Sequence, residues 1–163
     1  MDIINPVASP LVYQHWQRVD DRGLHTKIAN QFHPSWFEAR IEAVDFEHIY
    51  VIYAIDWQAQ LMCTNNDYRL ISTVNNYRML PNNNPLKDQI LVRRAAIERQ
   101  DPRIDLKLFL LCSDLANGPY TILEGNKRAV ALLDLNKLIG LNIYIGHSIG
   151  FTPESSGYIP PII

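Results

Sequence analysis

A chain of 163 residues with 47% hydrophobic and 20% charged side chains suits one soluble globular domain with its own core. No apolar run approaches the roughly 20 residues that span a bilayer, and a net charge of −2 argues against the broad basic face of a general nucleic-acid binder. Cys63 and Cys112 have no metal or redox spacing, which predicts reduced thiols in a cytoplasmic protein; Met1-Asp-Ile-Ile-Asn-Pro6 lacks the basic and apolar regions of a signal peptide.

Along the chain, Leu11, Val12, Trp16 and Val19, then Leu24, Ile28 and Phe32, recur at helical spacing. They predict two short helices broken near Asp21-Arg-Gly23, the second stopped by His33-Pro34, because proline disfavours a helical residue before it. From Trp36 the pattern turns to alternation. Residues 36–44, Ile49 to Ile55 and Tyr68 to Val74 are rich in β-branched and aromatic side chains and predict strands, with Asn65-Asn66-Asp67 as a hairpin turn. Polar residues at alternate positions predict an antiparallel arrangement with one wet face.

Pro81-Asn-Asn-Asn-Pro85 predicts a loop, with Asn84 capping a helix that starts at Pro85 and runs to about Arg99. Asp101-Pro-Arg103 ends it. Leu106 to Cys112 reads as a buried strand, Asn117-Gly118 as a hairpin and Tyr120 to Leu123 as the returning strand. Asn126 to about Leu138 reads as an amphipathic helix, followed by a strand over Leu141 to Ile145. The proline-bearing tail from Phe151 is expected to be extended and packed on the surface. The fold class is α+β: a mixed sheet flanked by helices in a single domain over residues 1–163.

The turn Glu124-Gly-Asn-Lys-Arg128 carries the functional expectation. Lys127 and Arg128 fall in the first turn of the predicted helix, where the partial positive charge makes a cation unfavourable by a few tenths of a kcal/mol, up to about 1. A bound anion reverses that cost. Free amides, a glycine that permits close approach and two cations make a phosphate cradle. Charge placement agrees: residues 1–86 hold six Lys and Arg against nine Asp and Glu, whereas residues 87–137 hold nine against seven. A small anionic ligand fits this mild excess better than a polymer does.

The segments Leu108-Phe-Leu-Leu-Cys-Ser113, Gly118 to Leu133 and Leu141-Asn-Ile-Tyr-Ile145 follow the order strand, hairpin, strand, Gly-x-x-Arg turn, helix, strand. Over about residues 85–147 this order resembles the ParB/sulfiredoxin superfamily, leaving residues 1–84 as a helical and β N-terminal extension of unassigned role. The resemblance implies a bound nucleotide (ATP, ADP or CTP) with Mg²⁺, its phosphates wrapped by the turn and helix start. Gly125 would permit close approach, Arg128 would hold phosphate oxygens through its planar fork, and Lys127 stands where relatives carry His or Arg. Asn126 stands where sulfiredoxins need cysteine and partition proteins carry glutamate, which removes sulfinic-acid repair and puts partition-type hydrolysis in doubt. The absence of a following helix-turn-helix weighs against centromere-type DNA binding.

Two functions are carried forward. One is a nucleotide-binding domain that hydrolyses or transfers phosphate, with Glu124 as general base or Mg²⁺ ligand. The other is a non-catalytic interaction or DNA-associated module, in which Lys127 and Arg128 meet backbone phosphates; DNA is the less favoured partner, and a homodimer is compatible with the exposed aromatic and Asn-rich segments. Each site residue also has a structural reading. Glu124 would cap the helix or pair with Arg128; Lys127 and Arg128 would reach acids such as Asp134; Arg103, a candidate ligand from the loop before the strand, would be a surface residue. The histidines have no metal spacing, with His147 the one candidate to line a pocket. Ser113 and Cys112 have no neighbouring base in sequence. Trp16, Trp36 and Trp57 are expected as core anchors.

Overall fold

The computed structural model describes residues 1–20, 22–53 and 67–158. Six strands form one sheet: β1 (Asp2–Val7), β2 (Ser35–Arg40), β3 (Ile49–Tyr50), β4 (Phe109–Cys112), β5 (Tyr120–Glu124) and β6 (Asn142–His147). Their spatial order is β1-β2-β6-β4-β5-β3. The pairs β1/β2, β2/β6 and β4/β5 are antiparallel, whereas β4/β6 and β3/β5 are parallel, so the sheet is mixed. The helices are α1 (Ser9–Val19), α2 (Leu24–Phe32), α3 (Leu70–Met79), α4 (Pro85–Glu98) and α5 (Asn126–Asp134). None of the described helices is long and apolar enough to cross a membrane.

Among the described residues helices cover the centre of the sheet on both sides, where a wet face was expected, and only the edge strand β1 stays largely exposed. Strand β4 shows why: all four of its residues are buried, and its period of two sends Phe109 and Leu111 one way, Leu110 and Cys112 the other. Phe109 and Leu111 meet Val12 and Trp16 of α1, Ile28 of α2, and Trp36. Leu110 and Cys112 meet Leu70 and Val74 of α3, Ile90 and Ile97 of α4, and Val130 of α5. Trp16 and Trp36 are core anchors as expected, at 0% and 2% exposure; Trp57 lies outside the described residues. Cys112 is a free thiol, and burial pushes it up to about 12, which leaves it protonated and unreactive at neutral pH. Cys63 lies outside the described residues.

The strand expected over Tyr68 to Val74 is instead the start of α3. Leu70, Thr73, Val74 and Tyr77 are its buried residues, at i, i+3, i+4 and i+7. That stripe outweighs the β propensity of the same residues. Asp67 starts the helix by accepting bonds from the Arg69 amide at 3.1 Å and the Ser72 hydroxyl at 2.7 Å, while the Arg69 guanidinium holds its carboxyl well below the usual range. Asn65 and Asn66 of the expected hairpin lie outside the described residues, as does the end of the Ile49 to Ile55 strand, of which Ile49–Tyr50 pairs. Strand β1 was not anticipated. In the tail, Phe151 is buried and Pro153–Tyr158 makes a tight helical turn rather than an extended segment.

The second half follows its pattern closely. The Asn84 side chain accepts from the amides of Leu86 and Lys87 at 2.9 and 3.1 Å, with Pro85 at the first helical position. Helix α5 is shorter than expected, ending at Asp134, and this residue clamps the helical layer. Its carboxyl, 5% exposed, takes Arg78 Nε of α3 at 2.8 Å and Arg94 Nη1 of α4 at 2.6 Å. Replacing Asp134 with Ala is expected to cost about 2 kcal/mol, below the full loss of a buried pair because both arginines stay partly in water. Urea denaturation measures it; a loss under about 0.5 kcal/mol would show that the clamp does not hold the layer.

Candidate functional site

Strand β5 ends at Glu124, and Gly125 turns the chain into α5 at φ +97° and ψ 20°, a left-handed conformation that glycine adopts without strain. Space requires glycine as well: a Cβ here would lie 2.5 Å from Leu108 Cδ2 and 2.8 Å from Arg128 Nη2. No side chain caps the turn, and no acid stands in the first turn of α5. The first amides of the helix therefore lack the usual side-chain partner.

Arg128 is the third residue of α5, and helical side chains lean toward the N-terminus. Its guanidinium lies back over Gly125. Nη1 donates to the Asp105 carbonyl at 2.8 Å and Nη2 to Glu124 Oε1 at 3.2 Å. The residue is 9% exposed, and its Nε is buried with no partner. Burial lowers its proton affinity, with Glu124 and Asp105 opposing that effect. An arginine stays cationic regardless.

Glu124 faces a second arginine. Arg22, on the turn between α1 and α2, binds Asp20 in a fork, Nε to Oδ1 at 2.7 Å and Nη2 to Oδ2 at 3.0 Å. The same Nη2 lies 3.6 Å from Glu124 Oε2. Asp20 and Glu124 thus share one guanidinium nitrogen, with side chains only 8% and 16% exposed. Burial drives Glu124 above its ordinary carboxyl value; Arg128 opposes the rise and the Asp20 carboxylate adds to it. Burial also pushes Asp20 upward, but its side-chain and backbone bonds from Arg22 outweigh that, so Asp20 sits below its ordinary value. The two titrate as a pair in which Asp20 carries the charge and Glu124 keeps the proton longer.

The network continues through Asp105. Its Oδ2 lies 2.7 Å from His15 Nε2 on α1, and its Oδ1 accepts from the Lys107 amide at 2.8 Å. Burial raises Asp105, but the Lys107 amide and His15 hold it below its ordinary value. His15 packs edge-on against Phe109 and Tyr144. The contacts run from His15 through Asp105, Arg128, Glu124 and Arg22 to Asp20, and so return to α1's C-terminal end.

Of the residues expected to form the site, the structure joins Glu124, Gly125 and Arg128. Asn126 faces elsewhere: its Oδ1 accepts the Ile52 amide at 3.0 Å and fastens the segment after β3. Lys127 Nζ bonds Gln89 Oε1 on α4. Arg103 is 84% exposed and forked onto Asp101 within its own loop; two residues on, Asp105 supplies the contact to Arg128. Asp134 does not take Lys127 or Arg128, being held by Arg78 and Arg94. The His147 ring meets the Ser113 carbonyl at 3.1 Å. His15, Asp20, Arg22 and Asp105 were not anticipated, since they lie some 20 to 110 positions from the turn and share no local pattern with it. Among the described residues, no group of three His, Cys, Asp or Glu side chains is placed to hold a metal ion.

Proton linkage gives this site a measurable signature. The folded chain binds the Glu124 proton more tightly than the unfolded chain, so that contribution to stability is full below about 4.5 and is lost as pH rises through the folded value. Glu124→Gln keeps the neutral shape and removes the titration. The melting temperature of the variant relative to the natural chain is expected to rise between pH 4 and pH 8. A difference independent of pH would contradict the assignment.

Fold and site together define an α+β protein, a mixed sheet between two helical layers with a charged network at the end of β5. No protein family, curated protein or solved structure matches this chain.

Proposed function

We propose that the protein binds a small phosphate-bearing ligand, with a nucleotide as the leading class, at the turn between β5 and α5. The observation that carries this reading is Arg128: a buried guanidinium with an unpartnered Nε, lying on a glycine whose missing Cβ leaves room for it, at an uncapped helix start. One guanidinium nitrogen is left unsatisfied, the other two being held by Asp105 and Glu124, and phosphate oxygens are acceptors that such donors match. The order α4, β4, hairpin, β5, glycine–arginine turn, α5, β6 supports the likeness to ParB-type domains on which the nucleotide reading draws.

In this reading Arg128 and the α5 amides hold phosphate oxygens, Arg22 adds charge from the α1–α2 turn, and Gly125 gives the Arg128 guanidinium its room. Mg²⁺ accompanying the phosphates would supply charge neutralisation. Glu124, raised above an ordinary carboxyl, suits proton transfer better than metal ligation. The arrangement favours binding over catalysis, because no nucleophile stands beside it among the residues of the network.

Calorimetry with ATP, ADP, CTP and GTP, each with Mg²⁺, tests the proposal. Binding of at least one is expected, weakened about tenfold by Arg22→Ala, whose side chain is 73% exposed, with circular dichroism showing that the variant is folded. No binding by the natural chain would refute it. The alternative, a non-catalytic interaction or DNA-associated module, draws on Glu124 and Asp105 already holding two nitrogens of Arg128. Salt-sensitive shifts of duplex or single-stranded DNA without nucleotide would favour it.

A further inference from the structure

We propose that Glu124 is the gate of this anion site: ionised, it occupies Arg128 Nη2 and shares Arg22 with Asp20, and protonated, it leaves Arg128 to a bound anion while Arg22 stays forked on Asp20. The inference deepens the phosphate-site reading above and rests on it.

The geometry places both arginines on one carboxyl. Arg128 Nη2 lies 3.2 Å from Oε1 and Arg22 Nη2 lies 3.6 Å from Oε2. An anion drawn to Arg128 must displace that carboxylate or sit beside it, and two like charges around this buried guanidinium repel. A neutral carboxyl removes the competition and adds an O–H donor toward the incoming oxygen. The helix start alone would not define the site; the buried, unpartnered Arg128 Nε points to a missing acceptor independently.

The groups around the gate act in both directions, the arginines favouring the ionised carboxyl and burial and Asp20 the neutral one. From the α1–α2 turn come Asp20 and Arg22; from α5, Arg128; from the loop before β4, Asp105, which His15 of α1 faces; from α4, Arg93 lies within electrostatic reach of Arg128. Asp20 is the carboxylate against Glu124, and it disfavours a second negative charge there. Anion binding withdraws Arg128 from Glu124, so the bound state takes up a proton from solvent onto the carboxyl. Affinity therefore increases as pH falls.

Sulfate is the probe, because its charge is constant from pH 5 to pH 8, and calorimetry in buffers of different ionisation enthalpy counts the protons. For the natural chain we expect uptake approaching one proton and affinity falling toward tenfold per pH unit above the carboxyl's titration. Glu124→Gln is expected to bind at the low-pH limit of the natural chain, with no slope. Asp20→Asn moves the slope to lower pH, since the charge that holds the proton on Glu124 is gone. A natural chain that binds sulfate without a slope overturns the gate and leaves the anion site standing. A slope that persists in Glu124→Gln and disappears in His15→Gln overturns it too, by assigning the proton to His15. No sulfate binding by either the natural chain or Glu124→Gln, with both folded by circular dichroism, overturns gate and site together.

Discussion

Gly125→Ala is expected to lower stability by about 3 kcal/mol. A left-handed conformation costs an L-residue roughly 1–2 kcal/mol, and Gly125 holds φ +97°. The added Cβ would also lie 2.5 Å from Leu108 Cδ2, and Leu108 is fully buried, so relief requires repacking of the core, at about 1–3 kcal/mol. Gly140→Ala separates the two contributions. It stands at φ +81° with nothing within 4 Å of the new Cβ, so only the conformational cost of about 1 kcal/mol remains. Urea denaturation of the two variants measures the difference. Equal losses would show that Leu108 yields freely and that the glycine serves the backbone alone.

The same turn shows what a sequence makes visible. Glycine, strand, helix start and Arg128 lie within nine residues, and each is a local signal: alternation ends, helical spacing begins, and glycine stands between. The partners of Arg128 and Glu124 come from elsewhere. Asp20 and Arg22 look like a helix break, which they are; their second role depends on α1 and α2 packing against Phe109 and Leu111, a contact with no local trace. Arg103 and Asp105 illustrate the limit more finely. Both lie on the loop before β4, and the loop approaches the site as expected, but the alternation that would decide which residue points inward is absent outside a strand. Asp101 takes Arg103 and leaves Asp105 to Arg128.

Helix α3 failed for a different reason. Leu70-Ile-Ser-Thr-Val74 satisfies strand propensity, and over so short a window the two periods are not separable. The continuation to Tyr77 separates them, because Leu70, Thr73, Val74 and Tyr77 all face the core. The covering of β2 was equally hidden. Alternating polar residues in β2 suggest a wet face, yet Glu38 there is half-buried and pairs with Lys107 at 3.2 Å, while Lys107 lies 4.3 Å from the centre of the Tyr144 ring. A paired charge inside a covered face has the same one-letter pattern as a solvated one.

Arg128→Met carries the other large effect. At pH 7 it is expected to cost about 3 kcal/mol, because it removes a buried cation, leaves the Asp105 carbonyl without its partner and leaves Glu124 only Arg22 at 3.6 Å. The loss should be smaller at pH 5, where Glu124 more readily takes a proton; a loss larger at pH 5 than at pH 7 would contradict the proton linkage. Adding Glu124→Leu removes the stranded carboxyl, and the double variant is expected to be more stable than Arg128→Met alone, approaching the natural chain. A denaturant double-mutant cycle measures the coupling. The outcome distinguishes two reasons for burying an ion pair. If apolar side chains replace it at little cost and sulfate binding disappears, stability does not account for the arginine, and the ligand does. If the double variant is no more stable than the single one, the guanidinium is needed to hold the Asp105 loop against α5, and its burial is structural.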